Sequence, residues 1–144
     1  MSLRTQGTTR LLVAMLLVSL LTSCNRYDRN QVREVNVSLL SFNIAVSPEV
    51  VGAGDVTFHL KNDSTDAVHE FAIVRTSLSA SRLPIEPDGS VEAYVLDIIA
   101  DLGHLDPGQS GDFSINLNAG KYVVICNIGG HYKKGMYASL TVAP

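Results

Sequence analysis

Apolar residues recur at every second position through much of this chain, and a run of that period can bury only one face of a β-strand. Val56, Phe58 and Leu60 alternate with Thr57, His59 and Lys61, and Phe113, Ile115 and Leu117 alternate with Asp112, Ser114, Asn116 and Asn118. Met136, Ala138, Leu140 and Val142 repeat the pattern against Tyr137, Ser139, Thr141 and Ala143. Turns such as Gly52-Ala53-Gly54-Asp55 and Asn118-Ala119-Gly120 separate the runs. Short alternating strands joined this way predict an all-β protein, an antiparallel sandwich of about seven or eight strands. In the first strand Val35, Val37 and Leu39 hold one parity, then Leu40, Phe42, Ile44 and Val46 take the other. That phase change implies a bulge or bend by which one strand serves two sheets. The stretch Thr76 to Gly111 is the least patterned, and Val91 to Leu102 fits strand and helix periods alike.

Between the last two strands lies Cys126-Asn-Ile-Gly-Gly-His131-Tyr-Lys-Lys-Gly-Met136. Lys121 to Cys126 is apolar and β-branched, as a buried strand should be, and Gly129-Gly130 breaks it. The loop therefore bridges two strand ends, with Cys126 and Met136 fixed by regular structure and His131 carried between them. Thiolate and thioether suit Cu(I), imidazole suits both copper oxidation states, and a thioether is a poor zinc ligand. A lone buried Cys or Met is more often packing, and a His in a glycine-rich turn more often a solvated side chain. Yet Met1 and Met15 fall in the leader, so Met136 is the one methionine expected in the mature chain, and Cys126 the one cysteine besides Cys24.

Cys, His and Met in this order on the last two strands resemble the type 1 copper site of the cupredoxins. The spacing C-x4-H-x4-M is longer than the plastocyanin or azurin loop and is similar to that of rusticyanin. The resemblance implies a Greek-key sandwich, with a second histidine supplied from an earlier strand. Val68-His69-Glu70-Phe71-Ala72-Ile73-Val74 is the matching segment, and period-two alternation points His69 inward with Phe71 and Ile73. It further implies one type 1 copper held by His69, Cys126 and His131, with Met136 as a weak axial ligand. In this family Asn often follows the first histidine and ties the ligand loops together, whereas here the residue is Glu70. A carboxylate there is expected to bond a loop amide or approach the copper. His59 and His104 fall in a strand and beside a turn, and neither is assigned a role.

The 144 residues allow one ordinary domain. Arg4 and Arg10 precede the apolar run Leu11 to Leu21, which has the form of a secretory signal and falls short of the about twenty residues that span a bilayer. Leu21-Thr22-Ser23-Cys24 resembles the bacterial lipobox, in which the cysteine is lipidated. The expected organisation is a signal peptide (1–23), lipidated Cys24 with a flexible tether (24–33), and the copper domain (34–144). Removing Arg4 and Arg10 from 11 basic residues leaves nine against 14 acidic ones, a net of −5, and no basic stripe points to nucleic acid. In an exported, oxidising setting an unpaired Cys126 is a liability unless a metal occupies it.

A site with four protein ligands and no open position favours moving an electron over binding a substrate. The expectation is a membrane-tethered, monomeric one-electron carrier facing the periplasm or cell exterior, not an enzyme. It would meet c-type cytochromes or an oxidase transiently, with His131 as the electron exit and Lys133 and Lys134 steering an acidic partner. The alternative is a copper-handling lipoprotein that stores or delivers the ion.

Overall fold

The structure, a computed structural model, describes residues 31–144. The expected signal peptide, Cys24 and the tether as far as residue 30 lie outside the described residues. The compact unit begins at Val32, slightly earlier than the boundary expected from the sequence. Arg33, assigned to the tether, is part of the fold: its Nε donates to Ala53 O at 2.8 Å and its carbonyl accepts from Thr57 N–H at 2.8 Å.

Among the described residues nine strands form two packed sheets: β1 (Glu34–Leu40), β2 (Asn43–Ser47), β3 (Val50–Gly52), β4 (Gly54–Asn62), β5 (His69–Arg75), β6 (Asp97–Leu105), β7 (Ser110–Leu117), β8 (Gly120–Ile125) and β9 (Tyr137–Ala143). The first sheet has the order β2-β1-β4-β7 and the second β3-β9-β8-β5-β6. The sandwich expected from alternation is present, with two finer differences: it has nine strands where about seven or eight were expected, and its sheets are not purely antiparallel. The sheets are mixed, because β1 pairs with β4 and β3 with β9 in parallel. After β2 runs back along β1, the chain crosses to the far sheet as β3, so β4 returns in the direction of β1.

The phase change in the first apolar run is a hairpin turn and not a bulge. Leu40 pairs with Asn43 across Ser41-Phe42, and both arms stay in one sheet. Leu40 and Phe42 are therefore exposed, and Phe42 takes a φ of 60°, at a turn position where Gly or Asn normally stands.

Inward residues of the two sheets make one core. Val35, Val37, Leu39, Val56, Phe58 and Leu60 come from the first sheet, meeting Phe71, Ile73, Val124, Leu140 and Val142 of the second. Phe58 and Phe71 touch across the interface with ring centroids 5.6 Å apart. Each such side chain contributes about 1.5–3 kcal/mol by leaving water.

The second sheet is covered on its outer face as well. Ala72, Val74, Val123 and Ile125 are buried there under Leu83 and Val91, which belong to the connection from β5 to β6, and under Tyr132 of the Cys126–Met136 loop. The ambiguous stretch Val91 to Leu102 resolves into a bridge residue, a 3₁₀ turn at Ala93–Val95 and the start of β6. Against β5, strand β6 carries an extra residue twice, between the partners of Glu70 and Ala72 and between those of Ile73 and Val74. Each insertion inverts the side-chain phase, which is why the strand period did not stand out over the helical one in the sequence.

Candidate metal centre

His69 opens β5, and the turn that delivers it is tied down. The buried Asn62 donates from Nδ2 to Ala67 O at 2.8 Å and Leu105 O at 2.9 Å, while its Oδ1 accepts from Ser64 N–H and Oγ. His69 is fully buried and shares the core with Phe71 and Ile73, as alternation required. Cys126 follows the last residue of β8 and Met136 precedes the first of β9, and both are fully buried. Their backbones close the loop: Cys126 N–H donates to Met136 O at 3.1 Å, and Met136 N–H to His131 O at 3.2 Å. A 3₁₀ turn at Tyr132–Lys134 follows His131, ending on Gly135 at a φ of 114°.

These elements bring three ligand-type side chains together. One donor atom each from His69, Cys126 and His131 lies within 4.8 Å of the others. Nδ1 of His131 is 3.4 Å from Cys126 Sγ, and Nδ1 of His69 is 4.0 Å from it. Sulfur and nitrogen ligands about 2.3 and 2.0 Å from one ion, set at trigonal angles, stand about 3.7 Å apart. The observed pair brackets that value, so the residues fit a shared metal.

Hydrogen bonding argues the same way. His69 Nε2 is buried without a hydrogen-bond partner among the described residues, and its Nδ1 faces only the distant thiol. A core histidine kept for packing alone would leave a buried polar ring unsatisfied, at a cost of about 1–3 kcal/mol. Coordination through Nδ1 would account for that nitrogen, while Nε2 would keep the proton and stays without a partner among the described residues.

The protonation of the metal-free site follows from burial. Desolvation pushes the Cys126 thiol above its usual pKa, against the lowering effect of the Glu70 and Ile128 amides. Burial holds the His69 imidazole below its usual value, helped by nearby His131, and holds His131 low as well, helped by Lys134. Neutral imidazoles are ready ligands, while the thiol must surrender its proton to bind.

The neighbours differ in part from expectation. Glu70 donates its backbone N–H to Cys126 Sγ at 3.3 Å, but its carboxylate faces His104 Nε2 at 3.8 Å and bonds no loop amide. Burial, with Asp101 close by, raises the Glu70 pKa, and His104 partly opposes this. His104 is the penultimate residue of β6, just before the turn closed by Gln109 N–H on Asp106 O at 2.9 Å. His59 does not join the cluster and is held between Asp112 and Glu34 at 2.8 Å each on the outer face of the first sheet. Lys133 and Lys134 are exposed, and Lys134 Nζ sits 4.2 Å from the Phe42 ring centroid. Phe42, which the sequence did not single out, packs edge-on against His131 at 5.6 Å. Its place at the parity switch was the available signal.

The family profile of the sulfocyanin (SoxE) domain matches residues 8–144. The chain belongs to the sulfocyanin family. Its fold is similar to dithionite-reduced auracyanin from Roseiflexus castenholzii, at 25% identity and a TM-score of 0.60 over 78% of this chain and 98% of that one. It is also similar to rusticyanin from Thiobacillus ferrooxidans, at 18% identity and a TM-score of 0.56 over 78% and 79% of the two chains. Auracyanin A, a "blue" copper protein from Chloroflexus aurantiacus, matches at 21% identity and a TM-score of 0.52 over 76% and 99%. No curated protein matches the chain. Sulfocyanin membership together with the His–Cys–His cluster makes this a cupredoxin that holds one type 1 copper and carries single electrons.

Proposed function

We propose that His69, Cys126, His131 and Met136 would hold the copper, in an exported electron carrier tethered to a membrane through Cys24. The convergence of the three donor atoms within 4.8 Å carries the ligand assignment. The copper supplies a one-electron couple when bound.

The chain's own residues do the rest. Cys126 binds as thiolate, and the Glu70 N–H directed at Sγ favours that charged form. Burial of Cys126, His69 and Met136 excludes water and sets ligand positions by strand geometry. His131 is only partly buried, so its ring is the edge through which an electron reaches a partner. Lys133 and Lys134 beside it would offer an acidic partner a positive rim, and the redox partners proposed are c-type cytochromes or an oxidase. Full burial of both sulfur residues supports retention of the ion over storage for delivery, the competing reading.

Titration of the full chain with Cu(II), followed by visible absorption beside a Cys126→Ala variant, tests the ligand set. An intense thiolate-to-copper band is expected in the wild type and none in the variant. A wild-type chain that takes up copper without such a band would sink the electron-carrier reading.

A further inference from the structure

The connection from β5 to β6, residues 76–96, is a strap laid against the ligand loop. It begins with a 3₁₀ turn at Ala80–Arg82 and continues as a small hairpin in which Ile85 bridges Val91 and Glu92 N–H donates to Pro84 O at 2.9 Å. Its side-chain ties to the loop fall on two residues, each directly following a proposed copper ligand. Tyr132, next to His131, is buried; its hydroxyl donates to Ala80 O at 2.6 Å and accepts from Leu83 N–H at 3.0 Å. Asn127, next to Cys126, accepts from Val91 N–H through Oδ1 at 2.6 Å. A backbone bond from Lys133 N–H to Gly89 O at 3.2 Å adds a third tie.

The approach is close, with glycine on both sides. A Cβ at Gly89 would stand 3.1 Å from Lys133 Cβ and 3.2 Å from Gly130 Cα, and one at Gly129 would stand 3.2 Å from Asp88 Oδ2. Gly89 also takes a φ of 85°.

The geometry points to the strap as the device that fixes the ligand loop, with Tyr132 and Asn127 as positioning residues for His131 and Cys126. The inference rests on the copper reading above and supplies what Glu70 does not, since its carboxylate makes no tie between the loops. Anchoring the side chain one residue beyond a ligand fixes the backbone that aims the ligand. Two carbonyls and two amides of the strap are satisfied by the loop alone, so the two segments order one another. A loop held from outside keeps its ligand directions whichever oxidation state the site carries.

Two readouts on the full chain test this, one without copper and one with it. In the metal-free chain, Tyr132→Phe should speed hydrogen exchange at the amides of Lys133 and Met136 by about tenfold and leave the amides of β1 and β4 unchanged. In the Cu(II)-loaded chain the thiolate band should persist while the electron paramagnetic resonance hyperfine splitting changes or broadens. Asn127→Ala, which leaves the strap hairpin intact, should show the same two effects and stands in if the tyrosine variant fails to fold. A lowered melting temperature with unchanged exchange at those amides and an unchanged resonance spectrum would overturn the proposal and leave Tyr132 a core residue only. Should the wild type show no thiolate band, the copper reading fails, and exchange in the metal-free chain still decides whether the strap holds the loop.

Discussion

At the scale of single residues, a histidine's surroundings decide its work more than its identity does. His69 is buried among apolar side chains with a thiol beyond Nδ1, whereas His59 is exposed between two carboxylates. Hydrogen bonds that the His59 ring donates to Asp112 and then Glu34 raise its pKa above 6.5. The imidazolium is thus favoured by folding, and its contribution to stability is complete below the unfolded pKa of about 6.5 and is lost as pH rises through the higher folded value. His59→Gln should therefore cost stability in mild acid and progressively less above neutrality. Denaturant midpoints for the two proteins across that range would converge at high pH; parallel curves would show that the ion pairs contribute nothing. Phe42 makes the complementary point. Its positive φ and edge-on contact with His131 were invisible in a sequence where it read as one more strand hydrophobe.

Among the elements, the ligand loop joins two kinds of information. Its ends were legible because Cys126 and Met136 abut strands whose periods are clean on either side. Its middle was not, because Tyr132 turns outward to the strap and its partners, Ala80 and Leu83, are about fifty residues away in sequence. The strap itself has no period to detect, since its ordered part is two 3₁₀ turns and a single bridge. The exposed end of the loop carries Lys133 and Lys134, the last turn of the 3₁₀ segment. Charge reversal by Lys133→Glu should slow electron exchange with an acidic redox protein at low salt, through encounter rate more than through the copper spectrum. Rates that match the wild type at low salt would remove Lys133 from the docking surface. Lys134 is less suited to the test, because its ammonium already lies over the Phe42 ring.

For the molecule as a whole, an acidic domain whose ligand loop carries two lysines has a charge asymmetry suited to presenting one end to partners. The proposed tether would hold that domain near a membrane: several acyl chains on one residue anchor stably where one does not. Cys24→Ala should move the protein from the membrane to the soluble fraction of cells expressing the full chain, and a variant still found with membranes would overturn the lipid anchor. The sequence by itself determined the sandwich, because a period of two dictates that strands bury one face. It also determined the metal chemistry, because thiol, imidazole and thioether in one loop have few other common uses. Only the tertiary structure decided which strands lie side by side and in which direction, since alternation records the buried face and not the neighbour. It alone brought His69 to a thiol 57 positions away and left His59 on the surface. It alone showed the strap, whose backbone groups are held by two loop side chains, Tyr132 and Asn127, that no alternating pattern marks.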